Sequence, residues 1–187
     1  MALDLERIPF GLSNILVGEG ADSVDFDGVN ELQAEGGEIT LTPILEDIVI
    51  ADFGTSPYDK RIVGYTGTVT IVAAQESIKV LQLALAASSP IIDAVSSDVK
   101  GLTDAAIGTS MRKNAKRVSI HPRNLDAAMK EMDITIYSMI SDGDYSRSTG
   151  NTQGNLTISL SMLPREGMNP SQPGNFFYIG GTDPNAA

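Results

Sequence analysis

Leu156-Thr157-Ile158-Ser159-Leu160-Ser161-Met162 alternates apolar and hydroxyl side chains without a break. Successive side chains of a strand point to opposite faces, so this run predicts a strand buried on one side and wet on the other. The pattern recurs elsewhere. Val69 and Ile71 alternate with Thr66, Thr68 and Thr70, and Ile134 and Ile136 with Asp133 and Thr135. Residues 38 to 50 begin with Ile39 and Leu41 against Thr40 and Thr42, pass Pro43, and turn apolar on both sides through Ile44, Leu45, Ile48, Val49 and Ile50. Pro43 has no amide hydrogen to give a ladder and predicts an edge or a bulge there. With shorter candidates at 12 to 17 and 115 to 120, at least six strands are expected.

Only one helix competes with them, over about 75 to 87. There Ile78, Leu81 and Leu85 recur at three and four residues, with Val80 and Ala84 beside them, until Ser88, Ser89 and Pro90 end the run. Strands in excess, with no regular alternation of helix and strand, argue against a parallel doubly wound sheet. The expected fold is mainly β: one antiparallel β-sandwich or barrel-like domain over 1 to 187, with one flanking α-helix and long loop or arm extensions. Those extensions are an N-terminal arm over about 1 to 11, a long hairpin loop over about 51 to 64, an insertion over about 88 to 111 and a C-terminal extension over about 164 to 187. The loop at 51 to 64 separates two strands that could pair, although a hairpin normally closes in about two to five residues. The last extension carries Phe176, Phe177, Tyr178 and Ile179 among prolines, an aromatic cluster expected to dock.

At 187 residues, with 42% hydrophobic and 20% charged side chains, the chain has the length and composition of a single globular domain. No apolar stretch reaches the roughly 18 to 20 residues of a membrane helix, and Asp4 and Glu6 do not suit a basic signal-peptide start, so neither membrane insertion nor export is expected. The chain has no cysteine, which excludes disulfides, thiolate nucleophiles and zinc-thiolate sites. Its net charge of −11 is unevenly placed. Residues 1 to 59 hold 13 acidic groups and one basic group, Arg7, whereas residues 60 to 187 hold 11 acidic and 12 basic. Nothing here gives the global attraction for nucleic acid that a basic face supplies. Within the second half, Arg112, Lys113, Lys116 and Arg117 form a basic cluster without aromatic neighbours, so pairing with an acidic partner or plain solvation is favoured over capture of single strands. On a strand, Arg112 and Lys116 would share one face, Lys113 and Arg117 the other.

Chemical motifs are weak. Ser23-Val24-Asp25-Phe26-Asp27-Gly28 resembles the start of a calcium loop, but Ala34 stands where a bidentate Glu should close the shell. Gly18-Glu19-Gly20 follows a strand, yet Ser23 replaces the third glycine of a dinucleotide turn and Glu19 and Asp22 would repel a pyrophosphate. A tight turn is expected instead. His121 is the only histidine and is expected to be structural. Glu46 and Asp47 are adjacent on a strand and point to opposite faces, a poor start for shared acid-base work. No catalytic, cofactor-binding or metal-binding residue is expected, and an enzyme is the weakest candidate.

The order of elements resembles the tail tube, or major tail, proteins of long-tailed bacteriophages. It is carried by a strand leading into Val17-Gly18-Glu19-Gly20, the long strand at 38 to 50, the loop Ala51-Asp52-Phe53-Gly54-Thr55-Ser56-Pro57-Tyr58-Asp59-Lys60-Arg61, the return strand at 64 to 73 and a helix introduced by Gln75-Glu76. The insertion at 88 to 111 departs from that pattern. The resemblance implies a structural virion protein, made in the host bacterial cytoplasm. Six copies would form a ring with a continuous β-barrel as inner wall, and rings would stack into a hollow tube through which DNA passes without specific binding. It also implies a tape measure protein as partner and, in a contractile tail, a sheath protein. Other readings are a tail terminator or capsid decoration protein, or a β-sandwich carbohydrate-binding or adhesin-like module; the last ordinarily displays Trp or Tyr platforms, and this chain has no Trp and five Tyr.

The residues themselves suggest where copies would meet. Phe53 and Tyr58 beside Asp59, Lys60 and Arg61 combine an aromatic anchor with charge, a mixture enriched at interface hot spots. Arg112, Lys113, Lys116 and Arg117 offer a basic counterpart to the acidic N-terminal half. Thr66, Thr68, Thr70, Asp133 and Thr135 are candidates for a lumen-facing wall.

Overall fold

The computed structural model describes residue 8, residues 10 to 151 and residues 153 to 186. Most of the expected N-terminal arm, residues 1 to 7 and 9, lies outside them. Where the description begins, Asn124 accepts from the Phe10 amide and donates to the Ile8 carbonyl.

Strands β1 (Ser13–Val17), β2 (Val24–Phe26), β3 (Gln33–Val49) and β4 (Pro57–Ala73) precede the helix α1 (Ile78–Ala84). After it come β5 (Ser88–Ile92), β6 (Val99–Asp104), β7 (Lys116–Pro122), β8 (Ile134–Ser141), β9 (Leu156–Met162) and β10 (Phe177–Ile179). One antiparallel sheet runs β2-β1-β7-β8-β9-β4-β3, with β10 also paired to β8, and β5 and β6 form a separate two-stranded hairpin. The alternation in β9 has the predicted effect: Leu156, Ile158 and Leu160 are buried and Thr157 is exposed. The same parity puts Val69 and Ile71 of β4, Val118 and Ile120 of β7 and Ile15 and Val17 of β1 into one continuous core. The two ends of the strand order meet where the Gln33 side chain donates to the carbonyls of Ser13 and Phe26, 2.7 and 2.9 Å away. The sheet therefore curls round its own apolar face, and α1 adds Val80, Leu83 and Ala84 to the core. The fold is mainly β and antiparallel with one flanking helix, as expected.

Three boundaries differ from the sequence expectation. The helix is shorter than 75 to 87 because Ser77 caps it: the Ser77 hydroxyl accepts from the Val80 amide and donates to Glu31, while Gln75 is held to the same carboxylate. At its other end Ser88 is drawn into β5. The connection at 51 to 64 is mostly strand, since β4 already begins at Pro57 and only residues 50 to 56 reverse the chain. Two irregularities let the ladder continue, and Gly54, at φ 75°, completes the turn. The insertion at 88 to 111 contains the β5 and β6 hairpin, whose tip is set by the Asp93 carboxylate accepting from the amides of Val95 and Ser96. Pro43 sits on an edge strand, next to the first of the two irregularities, where its missing amide is tolerated.

Candidate assembly interface

β3 and β4 are each 17 residues long, far more than the sheet uses. β9 pairs with β4 only from Thr68 to Ala73, so beyond Gly67 the two strands continue as a ribbon with no further neighbour. On this arm Ile44, Leu45, Val49, Ile62 and Val63 are between 44 and 59% exposed. Cross-strand register places Leu45 opposite Ile62 on one face and Ile44 opposite Gly64 on the other, so both faces carry apolar side chains. A two-stranded ribbon alone is at best marginally stable in water, and although the C-terminal extension lies beside its root at Ile62, Val63 and Tyr65, the apolar side chains of the arm stay largely exposed.

At the tip the ladder pairs Ile48 with Asp59 and Val49 with Pro57, which leaves Tyr58 as an extra residue in a bulge. Bulges re-aim side chains, and here the Tyr58 ring stacks on Phe53 with centroids 5.5 Å apart. Farther down, Lys60 pairs with Asp47 at 2.9 Å and Arg61 lies opposite Glu46. Phe53, Tyr58, Asp59, Lys60 and Arg61 are thus brought together on one projecting element, all exposed.

The basic cluster is not one strand surface. Arg112 and Lys113 lie on a 3-10 turn, Met111–Asn114, and β7 begins only at Lys116, so the expected alternation across 112 to 117 does not exist. Arg112 donates to the Pro164 carbonyl at 2.6 Å and Lys116 to the Asp22 carbonyl at 3.2 Å. Arg117 is the most committed of the four. It donates to the Tyr178 hydroxyl at 2.7 Å, lies 3.3 Å from Asp183 and 3.6 Å from Glu19, and stacks over the rings of Tyr137 and Tyr178. It serves its own chain, as a clamp on the C-terminal extension. Lys113 stays exposed.

The clamp is not legible in the sequence because Arg117 and Asp183 stand 66 positions apart. Tyr137 donates to Asp183 at 2.6 Å, and Asn185 donates to the Tyr137 hydroxyl and to the Gly174 carbonyl. Burial, then the hydrogen bond to Asp183, pushes the Tyr137 phenol up to about 12. Burial alone would raise Asp183, but bonds from Tyr137 and the Asn185 amide, with Arg117 beside it, outweigh that and hold its carboxyl below the usual range. The aromatic cluster beside it docks as anticipated, with Phe176 and Phe177 packed on Tyr65 at the root of the arm.

The remaining motifs resolve into local structure. Asp27 accepts from the amides of Val29 and Asn30, an Asx turn that also holds its carboxyl below the usual range. His121 bonds Asp133 through Nδ1. Gly18 and Gly20 adopt positive φ in the turn after β1. Of the wall candidates, Thr66 and Thr68 are exposed and Thr70 half-buried, but Thr135 is buried and Asp133 is occupied by His121, so the latter two do not form a free wall. Among the described residues no group of three or more His, Asp or Glu side chains is placed to hold a metal ion, and no helix is long and apolar enough to cross a membrane.

The geometry defines an antiparallel β domain carrying a projecting, apolar hairpin arm. Comparison of the chain with known protein families and with curated proteins found no match.

Proposed function

We propose that this protein is a structural virion subunit that assembles into stacked hexameric rings forming the hollow tail tube of a bacteriophage, a conduit for DNA ejection, with no catalytic role. The observation that carries this reading is the β3 and β4 arm. It is two strands wide beyond Gly67, carries apolar side chains on both faces and pairs with no further strand of its own chain, so the surface it leaves exposed would be covered by another copy. An arm and its receiving surface are different patches, and such head-to-tail contacts close into rings or continue into filaments. A net charge of −11 suits a conduit, because an acidic wall does not retain phosphate. The expected companions are a tape measure protein in the lumen and, for a contractile tail, a sheath around the tube.

Negative-stain microscopy and sedimentation of the purified protein test the reading. Rings or tubes are expected, and replacing residues 44 to 64 by Asn-Gly should abolish them while the circular dichroism of the β domain persists. A monodisperse monomer at high concentration, or tubes that form equally well without the arm, would overturn it.

A further inference from the structure

The arm has a recognisable counterpart. We propose that the arm tip of one copy seats in the cleft between α1 and the β5 and β6 hairpin of the next copy. The inference rests on the self-assembly reading above and names the receiving surface.

That cleft has a volume of about 620 Å³. This is within the roughly 300 to 1,000 Å³ range of pockets that hold drug-sized groups, and a stacked Phe and Tyr pair is of that size class. Its apolar lining comes from Ile78 of α1, Pro90 of β5 and Val99 of β6, and its rim carries Lys79, Lys113 and Lys116. Two aspartates also line it, but Asp98 is paired with Lys100 at 3.4 Å, leaving Asp22 against three ammonium groups. Lys79 and Lys116 are fixed by the carbonyls of Ala21 and Asp22, while Lys113 has no hydrogen-bond or salt-bridge partner among the described residues.

The tip presents the opposite sign. Lys60 is neutralised by Asp47, and Arg61 faces Glu46, so Asp52 beside Phe53 and Asp59 beside Tyr58 remain as its outer charges. Aromatic rings flanked by carboxylates match an apolar floor rimmed by lysines. Phe53 and Tyr58 are 64 and 65% exposed, so the tip does not fill the cleft of its own chain. A second apolar hollow, the groove at the root of the arm between Ile62, Val63, Tyr65 and the residues around Pro170, has no lysine or arginine in its lining. It offers no cation to Asp52 or Asp59.

Because the chain has no cysteine, single cysteines report the contact directly. Thr55→Cys and Lys113→Cys variants, mixed at equal concentration and oxidised, should give a mixed disulfide dimer, whereas Thr55→Cys mixed with Ala127→Cys should not. In parallel, Asp52→Lys or Lys113→Glu alone should weaken association by about tenfold, and the two changes together should restore much of it. Assembly that proceeds without the specific cross-link, or charge reversals that do not rescue each other, would overturn the cleft while leaving the tube intact. Absence of any assembly in the unmodified protein would remove both proposals.

Discussion

The ring of Phe53 stacks on that of Tyr58 at 5.5 Å and 20° between planes, although Phe53 lies within the turn that ends the arm and Tyr58 on the strand that leaves it. The bulge at Tyr58 makes this possible by breaking strict alternation just after the turn. Both rings face solvent, so their stacking contributes little to the stability of the domain, where exposed substitutions usually change unfolding by no more than about 0.5 kcal/mol. Their weight falls on association. Phe53→Ala with Tyr58→Ala should leave the thermal unfolding midpoint nearly unchanged and weaken self-association by at least about 2 kcal/mol, roughly thirtyfold, in sedimentation velocity. A large fall in melting temperature with unchanged association would show that the rings serve the fold.

Gly37 fixes where β3 is allowed to join the sheet. A Cβ placed there would lie 2.1 Å from the Thr70 carbonyl oxygen, so backbone and not a movable side chain would have to yield. The register of β3 against β4 shifts between Glu35 and Glu38, around this glycine. Gly37→Ala should therefore destabilise the domain by about 1 to 3 kcal/mol, read by urea unfolding, whereas Gly36→Ala, whose Cβ would have only Leu12 at 3.8 Å, should not. Equal effects at the two positions would mean that the close approach is not what constrains the strand.

The core strands were legible because period two survives tertiary packing: in β4, β7 and β9 the residues that alternate in sequence alternate in burial. The length of the β3 and β4 ladder was harder to read. Pro57 and Gly64 look like interruptions, yet an edge strand accommodates a proline, and bulges absorb the mismatch around Gly64. The arm's aromatic and charged residues could be picked out from type and proximity alone, since all five fall within nine positions. The intrachain partners of Arg117 could not be picked out for the opposite reason. Its partners Tyr137, Tyr178 and Asp183 come from two later strands and the C-terminal extension, and only the folded sheet brings them together. Lys113 and Arg117 look alike in sequence but differ in that one is exposed and the other is engaged by an aspartate and two tyrosines.

Arg117 and Asp183 make the hold on the C-terminal extension sensitive to pH. Asp183 has its pKa depressed in the folded protein, so its contribution is present above the ordinary carboxylate value and is lost as pH falls through the depressed one. Tyr137 works at the other end: its pKa is raised to about 12 from 10.0, so the stabilisation from its neutral form is full below 10.0 and lost as pH rises towards 12. Between these limits the extension should stay docked. Hydrogen exchange at the Arg165 amide, which donates to the Asn175 carbonyl, and at the Gly180 amide, which donates to Asp133, should report the clamp. The protection of both amides, taken relative to the intrinsic exchange rate at each pH, should fall in acid below the ordinary aspartate range. Asp183→Asn should lower the protection already at neutral pH and flatten its acid dependence, whereas Arg117→Glu should lower it at neutral pH by placing two carboxylates together and regain part of it as acid protonates them. Protection at Arg165 and Gly180 that is unchanged in both variants would mean that Phe176 and Phe177 packing on Tyr65 holds the extension without help from the charged network.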